Sequence, residues 1–285
     1  MILITGANGH LGSQTIDFLL EKNPDANIAG LVRSEEKGAE LKKKGVELRV
    51  GDYTDYPSIE KAVEGIDTLL LISTATMENR ARQHNNVIEA AREAGVKQIF
   101  YTSLVQADKK LSPLSADHDE TEKLIKDSGI AYTIYRNTFY AEFFPMFLGN
   151  ALETGEWILP SDGNKINLAL RSEMAEALAN GLSDPAKHKN EVYEITSGND
   201  YTLDELAEIL SEASGKEIIY TDVSVSDFEQ MLEEIGLPED QIAGSVMTAK
   251  TVSSGALSYT YDDLEQLLGR KPANLKTVIP QLLNG

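Results

Sequence analysis

Ile2-Leu3-Ile4-Thr5-Gly6-Ala7-Asn8-Gly9-His10-Leu11-Gly12 runs from a short apolar segment through three glycines into an amphipathic segment over 13–22. The order predicts strand, tight turn and helix. Gly6 permits a turn that a side chain would block, Gly9 lets backbone N–H groups approach a bound anion, and Gly12 lets the helix lie close to the strand. The helix N-terminus then faces the turn with unpaired N–H groups and the positive end of its dipole, which suits a pyrophosphate. The spacing is G-x-x-G-x-x-G, not the tighter G-x-G-x-x-G. Its place directly after a strand, with a second strand about twenty residues on, is the context a dinucleotide site requires. Asn8, His10 and Leu11 belong to the same loop, where His10 either donates to a phosphate or faces solvent.

The 285 residues suffice for a large core and for one large domain or two. With 41% hydrophobic residues the chain is globular. No apolar run reaches the length of a membrane span, and a fingerprint that starts at residue 2 leaves no room for a signal peptide. Cysteine is absent, so disulfides, thiolate metal sites and a cysteine nucleophile are excluded, and a cytoplasmic location is expected. A formal net charge of -20 repels phosphate backbones and anionic lipids, which argues against nucleic-acid and membrane partners. The four histidines, His10, His84, His118 and His188, do not pair at metal-ligand spacing, and no metal is expected. No Gly-x-Ser-x-Gly elbow is present, which removes the obvious hydrolase reading.

Beyond the first helix, a strand over 26–32 ends in Arg33-Ser34. Folds that prefer NAD usually carry an acidic residue there, bonded to the ribose 2′-hydroxyl; a guanidinium suits a 2′-phosphate, so Arg33 favours NADP(H). The third strand, 47–50, runs into Gly51-Asp52-Tyr53. Asp52 has two readings: a carboxylate accepting from the adenine amine, or a turn aspartate bonding its own backbone. Strands over 68–73, 98–103 and 131–135 alternate with helices over 80–94 and 119–126, and glycines close the helices. The alternation predicts an α/β fold, a Rossmann-type doubly wound parallel sheet. Ligands of such sheets meet the carboxyl ends of the strands, which here carry Gly6 to Leu11, Arg33, Asp52, Ser73-Thr74, Ser103 and Arg136-Asn137.

After Asn137 the composition shifts to Phe139, Tyr140, Phe143, Phe144, Met146 and Phe147, then the single tryptophan, Trp157. Aromatics at this spacing line either a core or a pocket; their place beside a strand end makes Phe139, Tyr140, Phe143 and Trp157 candidates for contact with a substrate. A helix over 173–182 and a strand over 191–196 return to the sheet. Thr202-Leu-Asp-Glu205 and Ser226-Asp-Phe-Glu229 read as capping boxes opening two helices, with a short strand over 218–221 between them. The last helices pass through Leu264 and Val278. The expected domains are 1–136, rejoined by 166–198, for the cofactor, and 137–165 with 199–285 as a small mixed α/β substrate domain.

Thr5-Gly-Ala-Asn-Gly-His-Leu-Gly12, Gln83-His84-Asn85-Asn86-Val87-Ile88, Ala94-Gly-Val-Lys97, Tyr101-Thr-Ser-Leu104, His118-x-x-Thr121-Glu122-Lys123, Ser128-Gly-Ile-x-Tyr-Thr133 and Arg136-Asn137-x-x-Tyr140 form one series. Together they resemble the NmrA-like branch of the atypical short-chain dehydrogenases, and within it the bacterial NADPH-dependent quinone oxidoreductases and triphenylmethane reductases. The resemblance runs nearly the whole length. It implies NADP(H) held by the glycine loop, Arg33 and the strand ends, including Tyr53 and Thr74. It also carries Ser73, Ser103, His118 and Asn137 to the nicotinamide end, with His118 and Ser103 as candidate catalytic residues. The wider superfamily uses Y-x-x-x-K; aligned through Glu122, this chain has Leu114 at the tyrosine and His118 at the lysine. The usual proton donor is missing, which weakens alcohol dehydrogenase, epimerase and dehydratase readings. His118, at the lysine's place, is expected to hold the ribose or orient the acceptor, and an ordinary pKa near 6.5 would also let it deliver a proton; the other reading is a helix-start histidine with no ligand contact. His84 reads as structural.

Two functions follow from the resemblance. One is a reductase, a monomer or homodimer, passing hydride from NADPH to a flat conjugated acceptor such as a quinone or a triphenylmethane-type dye, whose delocalised charge needs little acid help. The other is a sensor that binds NADP(H) and docks on a partner without turnover.

Overall fold

The computed structural model describes residues 1–76 and 78–284. In chain order the elements are β1 (Ile2–Ile4), α1 (His10–Lys22), β2 (Ile28–Val32), α2 (Ala39–Lys43), β3 (Glu47–Val50), α3 (Tyr56–Ala62), β4 (Thr68–Leu71), α4 (Arg80–Glu93), β5 (Gln98–Leu104), α5 (Ser115–Asp127) and β6 (Ala131–Asn137). There follow β7 (Phe139–Tyr140), α6 (Ala151–Thr154), β8 (Glu156–Ile158), β9 (Leu168–Ala169), α7 (Arg171–Ser183), β10 (Glu191–Ile195), α8 (Leu203–Ser214) and β11 (Ile219–Thr221). Four helices close the chain: α9 (Val225–Glu234), α10 (Glu239–Ser253), α11 (Asp263–Leu268) and α12 (Leu275–Asn284).

The chain divides into two compact units. The first comprises Met1–Leu104, Asp117–Asn137 and Arg171–Glu194; the second comprises Val105–Ala116, Thr138–Leu170 and Ile195–Gly285. The sheet of the first unit has the order β10-β6-β5-β4-β1-β2-β3. Its β1–β2, β2–β3, β1–β4, β4–β5 and β5–β6 pairs are parallel. Strand order reverses between β1 and β4, the switch point at which such sheets bind ligands. Strands β2, β4 and β5 are buried throughout, as strands covered on both faces must be. Helix α7 packs on α1, and α3 on α4.

The second unit is built on two short parallel pairs, β7 with β9 and β8 with β11. Its core gathers Phe144, Trp157, Leu168, Leu206, Leu210 and Ile279. Thr202 caps α8 as the spacing predicts, its hydroxyl accepting from Glu205 N–H while the Glu205 carboxylate accepts from Thr202 N–H. The second capping box is displaced. Helix α9 starts from Ser224, which accepts from Asp227 N–H, and Ser226 lies inside the helix. Helix α10 was not expected: Pro238 stands at its start, with no polar cap to announce it.

Candidate active site

The glycine turn has the geometry its spacing predicts. Gly6 has φ +57°, a conformation that favours glycine. A Cβ on Gly12 would fall 2.4 Å from the Gly6 carbonyl oxygen, so no side chain fits there. Gly9 caps α1 with extended backbone and no side-chain bond. Helix α1 begins at His10, three residues earlier than the amphipathic pattern suggests, so His10, Leu11 and Gly12 form its first turn. The N–H groups of a first turn have no partner inside the helix. Gly6, Asn8, Gly9 and His10 are exposed, and Leu11 is buried, anchoring the turn from below.

At the end of β2, Arg33 is exposed and its Nε stands 3.5 Å from Asp52 Oδ2. Asp52 makes the bonds of a turn aspartate. Its Oδ1 accepts from the Thr54 N–H at 2.9 Å and the Thr54 hydroxyl at 2.7 Å. Those bonds, with Arg33 behind them, hold the carboxyl below its usual pKa. Tyr53 is half-buried; its hydroxyl donates to the Ile72 carbonyl at 3.0 Å, tying the end of β3 to the end of β4.

The ends of β4, β5 and β6 are different in kind. Here the polar side chains are buried and bonded to one another. Ser103 donates to Glu122 Oε1 at 2.6 Å. Glu122, 1% exposed, is clamped by Arg136 through Nε–Oε1 at 2.9 Å and Nη2–Oε2 at 2.7 Å. Arg136 Nη1 reaches Glu194 Oε1 at 2.9 Å. The Ser103 hydroxyl is therefore part of a buried ion-pair network and is not poised as a catalytic group.

His118 is also buried. Its Nδ1 lies 2.8 Å from the Tyr101 hydroxyl, and its Nε2 lies 3.5 Å from Arg80 Nη1. A guanidinium can only donate, so Nε2 is the acceptor and Nδ1 carries the hydrogen. Burial, then the charge of Arg80 and the neighbouring His84, push its pKa down to about 3. The residue is neutral at pH 7, which corrects the expectation that it delivers a proton as an imidazolium.

His84 is fully buried, its ring edge-on to both Tyr53 and Tyr101. Thr121 donates its hydroxyl hydrogen to the Asp117 carbonyl at 2.7 Å, so its oxygen accepts from His84 Nδ1 at 3.0 Å. Nε2 is left bare and accepts from Thr74 N–H at 3.1 Å. Burial, assisted by Arg80, lowers this pKa as well to about 3. Arg80, Tyr101 and Thr121 were not singled out as site residues. The i, i+3 spacing of His118 and Thr121 was the available signal, since it sets both on one helix face.

Asn137, at the end of β6, is 5% exposed, and its Oδ1 is buried without a hydrogen-bond partner among the described residues. In the second unit, Phe139 is half-buried and Phe143 partly exposed, with Tyr140 and Phe143 rings edge-on at 5.4 Å. Trp157 does not join them. It is fully buried against Phe144 and Tyr220, and its indole N–H is spent on the Phe147 carbonyl at 2.8 Å. The expectation that it meets a substrate is corrected: the ring has no exposed surface and its one polar group is already bonded. Among the described residues no cluster of potential metal ligands occurs, and no helix is long and apolar enough to cross a membrane.

A model of the NmrA-like family matches residues 1–281. The chain belongs to the NmrA-like family. It is 39% identical over 287 residues to quinone oxidoreductase 2 of Escherichia coli (strain K12), covering 100% of this chain and 99% of the relative. The structure of the Escherichia coli NADPH-dependent quinone oxidoreductase complexed with NADPH superposes with a TM-score of 0.94 at 38% identity, covering 100% of both chains. The Citrobacter sp. triphenylmethane reductase complexed with NADP(H) gives 0.92 at 38% identity, over 99% of this chain and 100% of the other. Both of these structures are of reductases, one complexed with NADPH and the other with NADP(H).

Proposed function

We propose that the protein is an NADPH-dependent reductase that delivers hydride to a flat conjugated acceptor such as a quinone. The observation that carries this reading is the glycine turn. A packed Gly12 and an open first turn of α1 form an anion site, in a chain alike from end to end to reductases solved with NADPH or NADP(H).

The residues present fit the dinucleotide. The first turn of α1 holds the pyrophosphate. Arg33, exposed at the end of β2, would meet the 2′-phosphate. Asn137 offers its unused Oδ1 to a donor such as the carboxamide. When bound, NADPH supplies the hydride.

The chain contributes orientation and exclusion of water rather than acid catalysis. His118 is neutral and engaged on both nitrogens, and Ser103 is engaged with Glu122. An acceptor that spreads the arriving charge over a conjugated ring is the class such a site can reduce, with the proton taken later from water. Phe139, Tyr140 and Phe143, which follow Asn137 in the chain, are the residues that meet its face.

The test is NADPH oxidation against a panel of quinones and triphenylmethane dyes. Turnover with quinones is expected. Tight NADPH binding with no turnover on any acceptor would replace this reading by that of a sensor.

A further inference from the structure

The backbone between β4 and α4 carries an arrangement that neither the glycine turn nor the acceptor residues explain. Where β4 leaves the sheet, three consecutive N–H groups would lose their ladder partners. Each is instead taken by a side chain from a different element. Ile72 N–H donates to Thr5 Oγ1, just past β1, at 2.9 Å; Ser73 N–H donates to Thr102 Oγ1, in β5, at 2.9 Å; Thr74 N–H donates to His84 Nε2, in α4, at 3.1 Å. The Ile72 carbonyl is held from a fourth direction by the Tyr53 hydroxyl. Thr5, Thr102 and His84 are all buried. None can turn to water instead, so the path of the segment is over-determined.

We infer that His84, with Thr5 and Thr102, is a positioning residue that fixes Ser73 and Thr74 so that this segment presents acceptors to the ribose and carboxamide donors of the cofactor. The inference rests on the NADPH reading above. With the N–H groups of 72–74 spent inside the protein, what the segment can offer a ligand is carbonyl oxygens and the hydroxyls of two half-buried side chains, Ser73 and Thr74.

His84 suits the task because both of its nitrogens are committed. Thr121 can only accept from Nδ1, which leaves Nε2 bare for Thr74. A second proton would set an N–H against the Thr74 N–H, and burial beside Arg80 keeps that proton off. A purely structural histidine would need only to fill space between Tyr53 and Tyr101; this one also has an acceptor aimed at the backbone.

The experiment compares His84→Gln with His84→Leu. Glutamine can place its Oε1 where Nε2 stood; leucine fills volume without an acceptor. Both lose the bond to Thr121 and the ring contacts, so both should lower Tm by similar amounts. NADPH dissociation constants, read by cofactor fluorescence well below either Tm, should separate them. His84→Leu is expected to weaken binding about tenfold, the scale of one backbone hydrogen bond, and His84→Gln by no more than about threefold. Amide exchange at Thr74 should be fast in His84→Leu and protected in the wild type and His84→Gln.

Equal NADPH affinity in both variants, with Thr74 equally protected, would overturn the inference. If the wild-type protein does not bind NADPH, the functional reading fails by itself, while Thr74 exchange still reports whether His84 anchors the segment. Should both His84 variants fail to fold, Thr102→Val, nearly isosteric, removes the neighbouring acceptor. It should expose the Ser73 amide and weaken NADPH binding severalfold; unchanged affinity there also overturns the inference.

Discussion

The two halves of the sheet's carboxyl edge work by opposite means. At the ends of β1, β2 and β3 the groups that matter are exposed: a glycine turn, a helix start, and an arginine whose side chain is 68% accessible beside an aspartate at 41%. At the ends of β4, β5 and β6 they are sealed: His84 is 0% exposed, Glu122 1% and His118 8%. The open half has backbone donors waiting for an anion, and few of its side chains support the fold. In the sealed half the buried polar groups are bonded to one another, and among the described residues Asn137 Oδ1 is buried without a partner. A substitution of an exposed side chain in the open half, Arg33 or Asp52, should therefore change cofactor binding with little loss of stability. One in the sealed half should cost stability first.

The largest effect should come from Glu122→Ala. It leaves the Arg136 guanidinium buried with Glu194 as its remaining carboxylate from this network. Breaking a buried pair from one side costs about 3–5 kcal/mol. Chemical denaturation should show a loss of that size; a loss under about 1 kcal/mol would mean that the network is solvated and the contrast between the halves is false.

Arg33→Ala comes next, and acts on binding alone. One charge-assisted contact to a phosphate should give a tenfold to hundredfold preference for NADPH over NADH, on the order of 1.5–3 kcal/mol per contact. The variant should lose most of that preference at unchanged Tm. Titration of both cofactors by fluorescence reads it, and equal affinities in the wild type would remove Arg33 from the site.

The third prediction concerns acid. His84 and His118 are held near 3 in the fold and titrate at about 6.5 when unfolded. Between those values the unfolded chain binds more protons. The stability these residues share is therefore complete above pH 6.5 and is lost as pH falls toward 3. By pH 5 the loss should be roughly 1–2 kcal/mol per histidine. Comparing denaturation at pH 7.5 and pH 5 in the wild type and in a His84→Gln/His118→Gln variant isolates it. An equal acid loss in both proteins would show that other groups account for it.

Asp52→Asn should give the smallest change. Its pair with Arg33 is exposed, and such pairs contribute about 0–1 kcal/mol. Tm should barely move. NADPH affinity should rise severalfold, because a negative charge beside the 2′-phosphate is gone; weaker binding would show that the carboxylate itself holds the cofactor.

The same contrast separates what could be read from the chain alone. The open half is legible because its chemistry is local. Gly6, Gly9 and Gly12 act through backbone geometry within seven residues, and Arg33 through its place at a strand end. The sealed half depends on residues brought together by the fold. Thr5 meets Ile72 across 67 positions, and Arg136 meets Glu194 across 58. A threonine or histidine in isolation carries no mark of which backbone amide it will accept from. His118 was readable as a position and unreadable as a charge state, since its pKa depends on burial and on Arg80. Trp157 shows the converse: an aromatic next to a strand end looks the same in sequence whether it lines a pocket or fills a core.

The interleaving of the two units has a consequence for how the chain is made. The first unit needs β10, which ends at Ile195, and the second needs three separate segments, the last running to the end of the chain. On the ribosome, synthesis passes through two of the second unit's three segments before the first unit has its edge strand. A fragment cut after β6 would carry the glycine turn and the buried histidines yet lack α7, the helix that packs on α1. The first unit thus cannot be excised alone as one contiguous piece: a cut that keeps all of it carries Val105–Ala116 and Thr138–Leu170 of the second unit along.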